Sequence, residues 1–573
     1  MLYSRLFGKT TKTIAEEKII SSKLLQQAGF ISESTSGRFY FLPLGMRVQQ
    51  KIIALVKDVM DRAGAQEMVT PIFHPLSLWQ ETNRDKSAKY ELTLLKDRRG
   101  AEFVPGGTAE EMFVDLVRKY QVSYKDLPFN LYQFSNKFRD EMRARGGLLR
   151  VREFIMKDAY SFHVDEEDFK KEYQSMWDSY KEIFTKLGLN AVVVESDNGY
   201  IGGDYCHEFV VEAEAGESTF LTTEDGSYAA HVDVATFLKD EKNKSDKVEG
   251  LKEVDAVRGT TMADGAKLHD MPLWQQIKDV LFVDEKGIYI LAIIRGDYDV
   301  NEMKLMHHVK SLELRHATED EIRNTIHSEP GFISPVGIKD NMTEGTELII
   351  VADDSLRTIT NAYGGANKLH RDLFNMNIDR DYTVDIEGDI ALAQAGYSST
   401  DGKNKLVEKK GIEVGNIFQL GYHYSKKMKG ATYMDQHGEE QAYYMGCYGI
   451  GIGRTLATIV EKYHDTYGIL WPENVAPYTV HLVGLDLNDE TIKSNVHTIY
   501  KKLQENGIEV LFDDREDVRP GAKFAVADLI GNPVRLVVSK RTEDKIEWKR
   551  RSEKETELID IDEVIKRVKG LIK

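Results

Sequence analysis

Arginine, glutamate and phenylalanine gather in residues 133–162, which read QFSNKFRDEMRARGGLLRVREFIMKDAYSF. Arg139 and Glu141 are two apart, so on an extended strand they share one face. Arg150, Phe154 and Asp158 follow at intervals of four residues. A guanidinium can grip a phosphate while an aromatic ring stacks on a base, which is chemistry suited to a nucleotide. The same Arg/Glu spacing also makes an ordinary surface ion pair, and the residues alone leave both readings open. A second stretch, residues 445–455, reads MGCYGIGIGRT. Its alternating Gly449, Gly451 and Gly453 suit a strand that another group approaches closely. Arg454 then stands where a helix begins; a tightly packed glycine strand with a solvent-facing arginine is the bland reading. Neither the Gly-x-x-x-x-Gly-Lys-Ser/Thr phosphate loop nor the usual dinucleotide fingerprint occurs, so a nucleotide site has to be built in another way.

These side chains need rigid carriers. Strands are expected at 130–137 and 153–162, flanking an arginine- and glycine-rich loop at 142–149. Upstream, Ser34 to Arg38 breaks the chain before a strand-like 39–42. An amphipathic helix follows at 45–63, with Val48, Ile52, Ile53, Val56, Val59 and Met60 at spacings of three and four. Gly64 closes it, and 67–70 reads as a strand stopped by Pro71. A long helix at 166–187 ends at Gly188, with a short strand at 192–195. Composition shifts near Glu224, and 239–253 is highly charged. From 255 to 386, helix patterns (273–280, 301–312, 319–326) alternate with strand patterns (281–283, 288–294, 348–352). Motif-like sequence resumes near Gly411, so the middle segment reads as an inserted α/β domain. After Trp471-Pro472 a third unit begins, with strands at 480–483, 508–512 and 534–538 and helices at 490–506 and 523–530. That alternation predicts a small α/β domain with a mixed sheet.

The chain has 573 residues, too many for one core, with 41% apolar and 30% charged residues. No apolar run approaches the ~20 residues of a membrane span, and the start lacks an apolar signal core. No membrane association is expected. Cys206 and Cys447 are the two cysteines. So few thiols fit a reducing cytoplasm and leave too little for a four-cysteine structural zinc site. A net charge of −18 disfavours generic polyanion binding but not a local basic surface that reads one RNA.

Taken in order, helix-strand-Pro71, then Arg139-x-Glu141 with Arg150, Phe154 and Asp158, then Gly449-x-Gly451-x-Gly453-Arg454, the chain resembles the class II aminoacyl-tRNA synthetases in their three motifs. No class I motif is present. Finer runs resemble the bacterial prolyl-tRNA synthetases over essentially the whole chain. They are Gly107-Thr108-Ala109-Glu110-Glu111, Ile201-Gly202-Gly203 with His207-Glu208-Phe209, Gly415 to Gly421, and Met445 to Gly451. The sequence departs from that pattern at Asn416, where histidine is common, and at Asp204 and Cys206, where small serines often sit.

The resemblance implies an α+β fold: an antiparallel sheet flanked by helices, an inserted α/β editing domain, and a C-terminal α/β anticodon-binding domain. The implied divisions are 1–223 and 408–473 for catalysis, 224–407 for editing and 474–573 for the anticodon. It implies a cytoplasmic homodimer that joins L-proline to tRNA(Pro), using ATP as substrate together with Mg2+. Arg139 would clamp the α-phosphate and the proline carboxylate, and Arg454 the γ-phosphate. Phe154 would stack on adenine beside Glu141 and Arg150, with Glu413 as magnesium or ATP ligand and Asn416 as a weaker nucleotide contact. Thr108 and Glu110 would receive the secondary ammonium, since a hydroxyl and a carboxylate match a group with two N–H donors. His207, Phe418 and Cys447 would wall the ring, although core packing is the plain alternative for each. Arg143 would touch the tRNA acceptor end.

In the insertion, Lys278, Asp353, His370, Gly331 and Asn367 match residues of the family's editing site, which hydrolyses alanyl-tRNA(Pro). Alanine is smaller than proline, and size selection yields only ~1–3 kcal/mol per methylene, which is the reason for a second, hydrolytic site. Residues 513–523, with Asp513-Asp514-Arg515 and Arg519-Pro520-Gly521, mark the anticodon domain. A threonyl enzyme would need a Cys/His/His zinc set, and a histidyl enzyme a further arginine motif in place of Thr108/Glu110; neither is found. A tRNA-binding protein without catalysis would have no need of Arg139, Glu141 and Arg454 together.

Overall fold

The computed structural model describes residues 1–11, 17–87 and 92–571. The chain divides into two compact units. One comprises Met1–Val193, Asn198–Ser218 and Lys410–Lys573; the other comprises Val194–Asp197 and Thr219–Lys409.

The first unit is built on a sheet of long strands. In spatial order these include Tyr205–Glu212, Leu406–Gly421, Tyr444–Gly451, Glu153–His163, Phe129–Phe138 and the short Gln66–Glu67. Successive neighbours are antiparallel, except that Gln66–Glu67 lies parallel to Phe129–Phe138. One face packs on the helices Pro43–Arg62, Glu166–Lys186 and Ile452–Lys462, with Val48, Ile52, Tyr180, Ile417, Tyr448 and Ile459 fully buried. The other face carries Tyr160, Phe418, Cys206 and Cys447, and packs on the helix Glu110–Val117.

Local chemistry sets these elements. Pro43 occupies the first turn of Pro43–Arg62, where a missing N–H costs nothing, so the helix starts two residues earlier than its apolar period indicates. Glu166–Lys186 is capped by Asp165, whose side chain accepts from the Asp168 N–H. Three acidic residues fill its first turn, opposing the helix dipole. The strand expected at 67–70 shrinks to Gln66–Glu67, and Phe73–Pro75 forms a separate hairpin edge with Glu102–Pro105.

Residues 480–571 of the same unit form a five-stranded sheet. Val480–Gly484 runs parallel between Val510–Asp513 and Val534–Val538, and Ile546–Arg550 and Glu557–Ile559 complete it antiparallel. Its helices are Glu490–Glu505, Pro520–Ile530 and Ile561–Leu571.

The second unit has a five-stranded sheet, ordered Leu314–His316, Ile277–Asp284, Tyr289–Arg295, Leu348–Asp353 and Ile386–Gly388. A three-stranded sheet joins Lys252–Asp255, Arg371–Met376 and Ala362–Gly365. The helix expected at 273–280 does not form. A single 3-10 turn, Leu273–Gln275, leads into the strand Ile277–Asp284, which pairs residue for residue with Tyr289–Arg295. A tight turn at Asp284–Gly287 fixes that hairpin, and the β-branched Ile277 and Val280 fit its pleat.

Candidate active site

Three neighbouring antiparallel strands, the connection that follows a fourth and the start of a helix build one cleft in the first unit. Arg139, Glu141, Arg150, Phe154, Glu413, Asn416 and Arg454 all line it, together with Gly449 and Gly451. The seven residues expected to touch a nucleotide therefore meet in one place. Arg150 and Glu141 are ion-paired at 2.6 Å. Arg454 pairs with Glu413 at 3.0 Å and donates to the Leu149 carbonyl at 2.9 Å, and Asn416 Nδ2 donates to Glu413 at 2.8 Å. The Arg139 guanidinium carbon lies 5.5 Å from the Phe154 ring centre. Without glycine at 449, a Cβ would stand 2.8 Å from Asn416 Oδ1, so the glycine strand makes room for the side chains of the cleft. The lining of the cleft carries both guanidinium groups, from Arg139, Arg150 and Arg454, and carboxylates, from Glu141 and Glu413.

Arg139 also donates to the Gly107 carbonyl at 3.3 Å, which joins this cleft to the Thr108 loop. Thr108 Oγ1 donates to Glu110 at 2.6 Å, and the Cys447 thiol lies 3.4 Å from Glu110 Oε1. Phe418 and Cys447 are direct partners across the ladder, as are Cys206 and Phe418. Burial pushes the Cys447 thiol well above its ordinary range, which keeps it protonated and disfavours it as a nucleophile.

His207 is a correction. Strand alternation turns Cys206 toward this face and His207 toward the helix Glu166–Lys186. There its Nδ1 meets the Tyr173 hydroxyl at 2.7 Å and its ring packs on Trp177. Burial pushes its pKa down to about 4. It is a neutral hydrogen-bonding residue of the core and not a wall of the pocket. Asp204 accepts from Gln419 at 3.0 Å and from Tyr444 at 3.2 Å, fixing the neighbouring turn.

Several residues of this site were not anticipated. Tyr160, fully buried, accepts from the Ala109 N–H at 2.9 Å and donates to Asp158 at 3.1 Å. Asp158 is also ion-paired with buried Lys137 at 2.9 Å. Arg84, 26 positions before Glu110, places Nη1 3.0 Å from Glu110 and 3.0 Å from both oxygens of Glu111. Tyr160 shares the strand parity of Asp158, already part of the motif, which was a usable signal; nothing in the sequence links Arg84 to Glu110.

Arg143 is exposed on the 140–146 loop beside Met142, which is 82% exposed. Arg145 instead pairs with Glu217 at 2.5 Å.

In the second unit the expected residues divide. Asn367 accepts from the Ser334 N–H and Ser328 hydroxyl and donates to the Ser334 and Val336 carbonyls, so it shapes the loop that carries Gly331. His370, exposed, lies 5.9 Å from the Phe332 ring of the same loop. A small pocket there is lined by Gly331, Thr260, Gln276, Asp279 and Gly365. Asp279, also unanticipated, is pushed well above the carboxylate range by burial. Lys278 and Asp353 do not join them. Lys278, one position along the strand from Asp279, pairs with Asp299. Asp353 is buried, accepts from the Ser355 and Ile390 N–H groups, and is ion-paired with Lys239 at 2.9 Å. Its contacts hold the end of the strand.

Comparison with known proteins adds a family context. Residues 90–463 match the model of the tRNA synthetase class II core domain (G, H, P, S and T), and residues 479–571 match the anticodon binding domain. A proline–tRNA ligase of Dehalococcoides mccartyi is 41% identical over 100% of this chain and 99% of its own. One of Bacillus pumilus is 42% identical over 99% of each. A solved prolyl-tRNA synthetase of Cryptosporidium parvum, complexed with halofuginone and AMPPNP, superposes with a TM-score of 0.58 at 13% identity. It covers 98% of this chain and 79% of its own, a likeness of fold. Among the described residues, no helix is long and apolar enough to cross a membrane.

Proposed function

Since the chain belongs to the proline–tRNA ligases, class II aminoacyl-tRNA synthetases with an anticodon-binding domain, we propose that its Arg139/Arg454 cleft and Thr108/Glu110 loop together activate L-proline. The observation that carries this reading is the position of Arg139. It lines the nucleotide cleft and also touches Gly107, beside the residues suited to an imino acid. A carboxylate lying there can attack the α-phosphorus of ATP, expelling pyrophosphate. Negative charge that grows on the phosphate oxygens faces a fixed guanidinium, which lowers the barrier without reorganisation. Arg454 suits the far phosphate of a folded ATP, and Phe154, beside Glu141 and Arg150, suits a stacked adenine. Glu413 offers the hard oxygen donor that magnesium prefers, and a bound ion would neutralise phosphate charge. Glu110 and Thr108 take the two N–H donors of proline, with Phe418 and Cys447 against its ring.

Transfer needs a tRNA acceptor end beside the adenylate. The exposed guanidinium of Arg143 suits its phosphates, and residues 474–573 suit the anticodon. The second unit, with the Gly331 pocket, suits hydrolysis of alanyl-tRNA(Pro). Exposed Val69, Ile72 and Phe73 beside the Gln66–Glu67 edge support a homodimer through that edge. Such an enzyme works where tRNA is charged, in the cytoplasm. The test is ATP–pyrophosphate exchange with each of the twenty amino acids. Proline should drive exchange most strongly, with weaker exchange by the smaller alanine; exchange with threonine or histidine and none with proline would overturn the reading.

A further inference from the structure

Behind the imino-acid loop lies a charge imbalance that the reaction does not explain. Glu110 and Glu111 are both fully buried, and the contact cation they share is Arg84, whose side chain is 2% exposed. A single nitrogen, Arg84 Nη1, lies 3.0 Å from Glu110 and 3.0 Å from Glu111. Two buried carboxylates facing one buried guanidinium are not both held ionised without a further positive charge. Among the described residues, the other groups nearby do not supply it. Tyr424 lies 5.7 Å from the guanidinium with its hydroxyl held neutral by burial. The pKa of His423 is pushed down to about 4 by burial, and Lys427, which also feels Glu111, is exposed so that solvent screens its charge. On the Glu110 side stand the hydroxyls of Thr108 and Tyr160 and the Cys447 thiol, all uncharged.

We propose that Arg84 and Glu111 form a charge-balancing pair behind the imino-acid site, and that Glu111 gives up its proton when the secondary ammonium of proline docks on Glu110. The proposal rests on the reading of Glu110 as the ammonium receptor. In the empty site, Arg84 and ionised Glu110 balance each other and Glu111 holds a proton. Burial raises Glu111, the charge of Arg84 opposes that rise, and the negative Glu110 adds to it. Burial acts on Glu110 too, but Arg84 and the Thr108 hydroxyl overcome it and hold Glu110 below its ordinary range. Adding prolinium brings a second cation, and neutrality is restored by breaking the Glu111 O–H bond. The proton goes to a buffer base, and no other group changes charge. Thr82 can serve both states. Its hydroxyl lies 2.8 Å from Glu111 and 3.1 Å from the Trp79 carbonyl. It can accept from the protonated acid while donating to Trp79, or donate to the carboxylate. Arg84 is thus a positioning residue, set against the Trp79 ring at 4.6 Å.

Calorimetric titration of the full-length protein with proline, in phosphate and in Tris, reads the proton directly. Wild type should release about one proton per proline near neutral pH, and its affinity should rise up to about tenfold per pH unit as a result. Glu111→Gln, of the same shape and never charged, should release none and lose that pH dependence, so that it binds about tenfold more weakly than wild type at pH 8. Wild type binding with no proton released, or Glu111→Gln still releasing one, overturns the proposal. Glu110→Gln separates the two layers. If it binds proline as wild type does, the assignment of Glu110 fails; if it loses binding while wild type releases no proton, only the charge-balancing pair fails.

Discussion

Lys278 and Asp279 are adjacent in sequence and engage different surroundings, the first an ion pair with Asp299 and the second the Gly331 pocket. Which of them serves a hydrolytic site is a question for single residues. Under the editing proposal, Lys278 contacts the tRNA terminus. Lys278→Ala should then leave proline charging intact and slow hydrolysis of alanyl-tRNA(Pro) about tenfold, the loss of one charged contact. Deacylation at the wild-type rate would remove Lys278 from the site. His207 teaches the same lesson in the first unit, since its neighbours Cys206 and Glu208 share the parity that faces the substrate side. A residue's position in a motif run does not say which face of the strand it takes.

At the scale of elements, two of the three glycines in the strand Tyr444–Gly451 have different duties. A Cβ at Gly446 would stand 2.3 Å from the Tyr448 hydroxyl and 2.6 Å from the Phe169 ring, among fully buried rings that cannot give way. At Gly449 it would meet only the end of the Asn416 side chain at 2.8 Å, with Met156 Sδ at 3.7 Å. Gly449→Ala should therefore fold normally but swing Asn416 away from Glu413. That should raise the KM for ATP about tenfold, the worth of one hydrogen bond to a charged group. Gly446→Ala should cost about 1–3 kcal/mol of stability by overpacking. Denaturant melts and exchange kinetics on the two variants distinguish the roles, and an unchanged KM in Gly449→Ala would show that Asn416 does not bear on the nucleotide.

For the whole molecule, the edge at residues 66–75 exposes Val69 at 71%, Ile72 at 44% and Phe73 at 48%. A contiguous apolar patch beside a two-residue edge strand invites a second copy. Phe73→Asp should shift the mass in solution from dimer to monomer at micromolar concentration, read by light scattering, while the far-ultraviolet circular dichroism is retained. A wild type that is already monomeric would remove the dimer from the proposed function. In the other unit, acidic Asp353, Asp354 and Asp389 come close enough to suggest a cation site, but Lys239 lies among all three and supplies the charge.

The sequence by itself determined the class of fold and most of the nucleotide cleft. Arg139, Glu141 and Arg150 lie in the connection between two hydrogen-bonded strands and Phe154 at the start of the second; Glu413 and Asn416 lie on a strand two places along the same sheet, and Arg454 on the helix that follows the strand between them. Period-two alternation and one hairpin loop are enough to bring such residues together, because local geometry dictates it. The C-terminal sheet was legible for the same reason, through strands and helices punctuated by Gly507 and Gly531. Tertiary structure alone decided the rest. It turned 277–280 from an apparent helix into a strand by pairing it with Tyr289–Arg295, because cross-strand bonds outweigh a short amphipathic period. It sent His207 to the helix-covered face and separated Lys278 and Asp353 from Gly331. It also brought Arg84 from a four-residue helix, Arg84–Ser87, to Glu110 and Glu111. A buried charge has to find its partner wherever the chain provides one, and no local pattern records that choice.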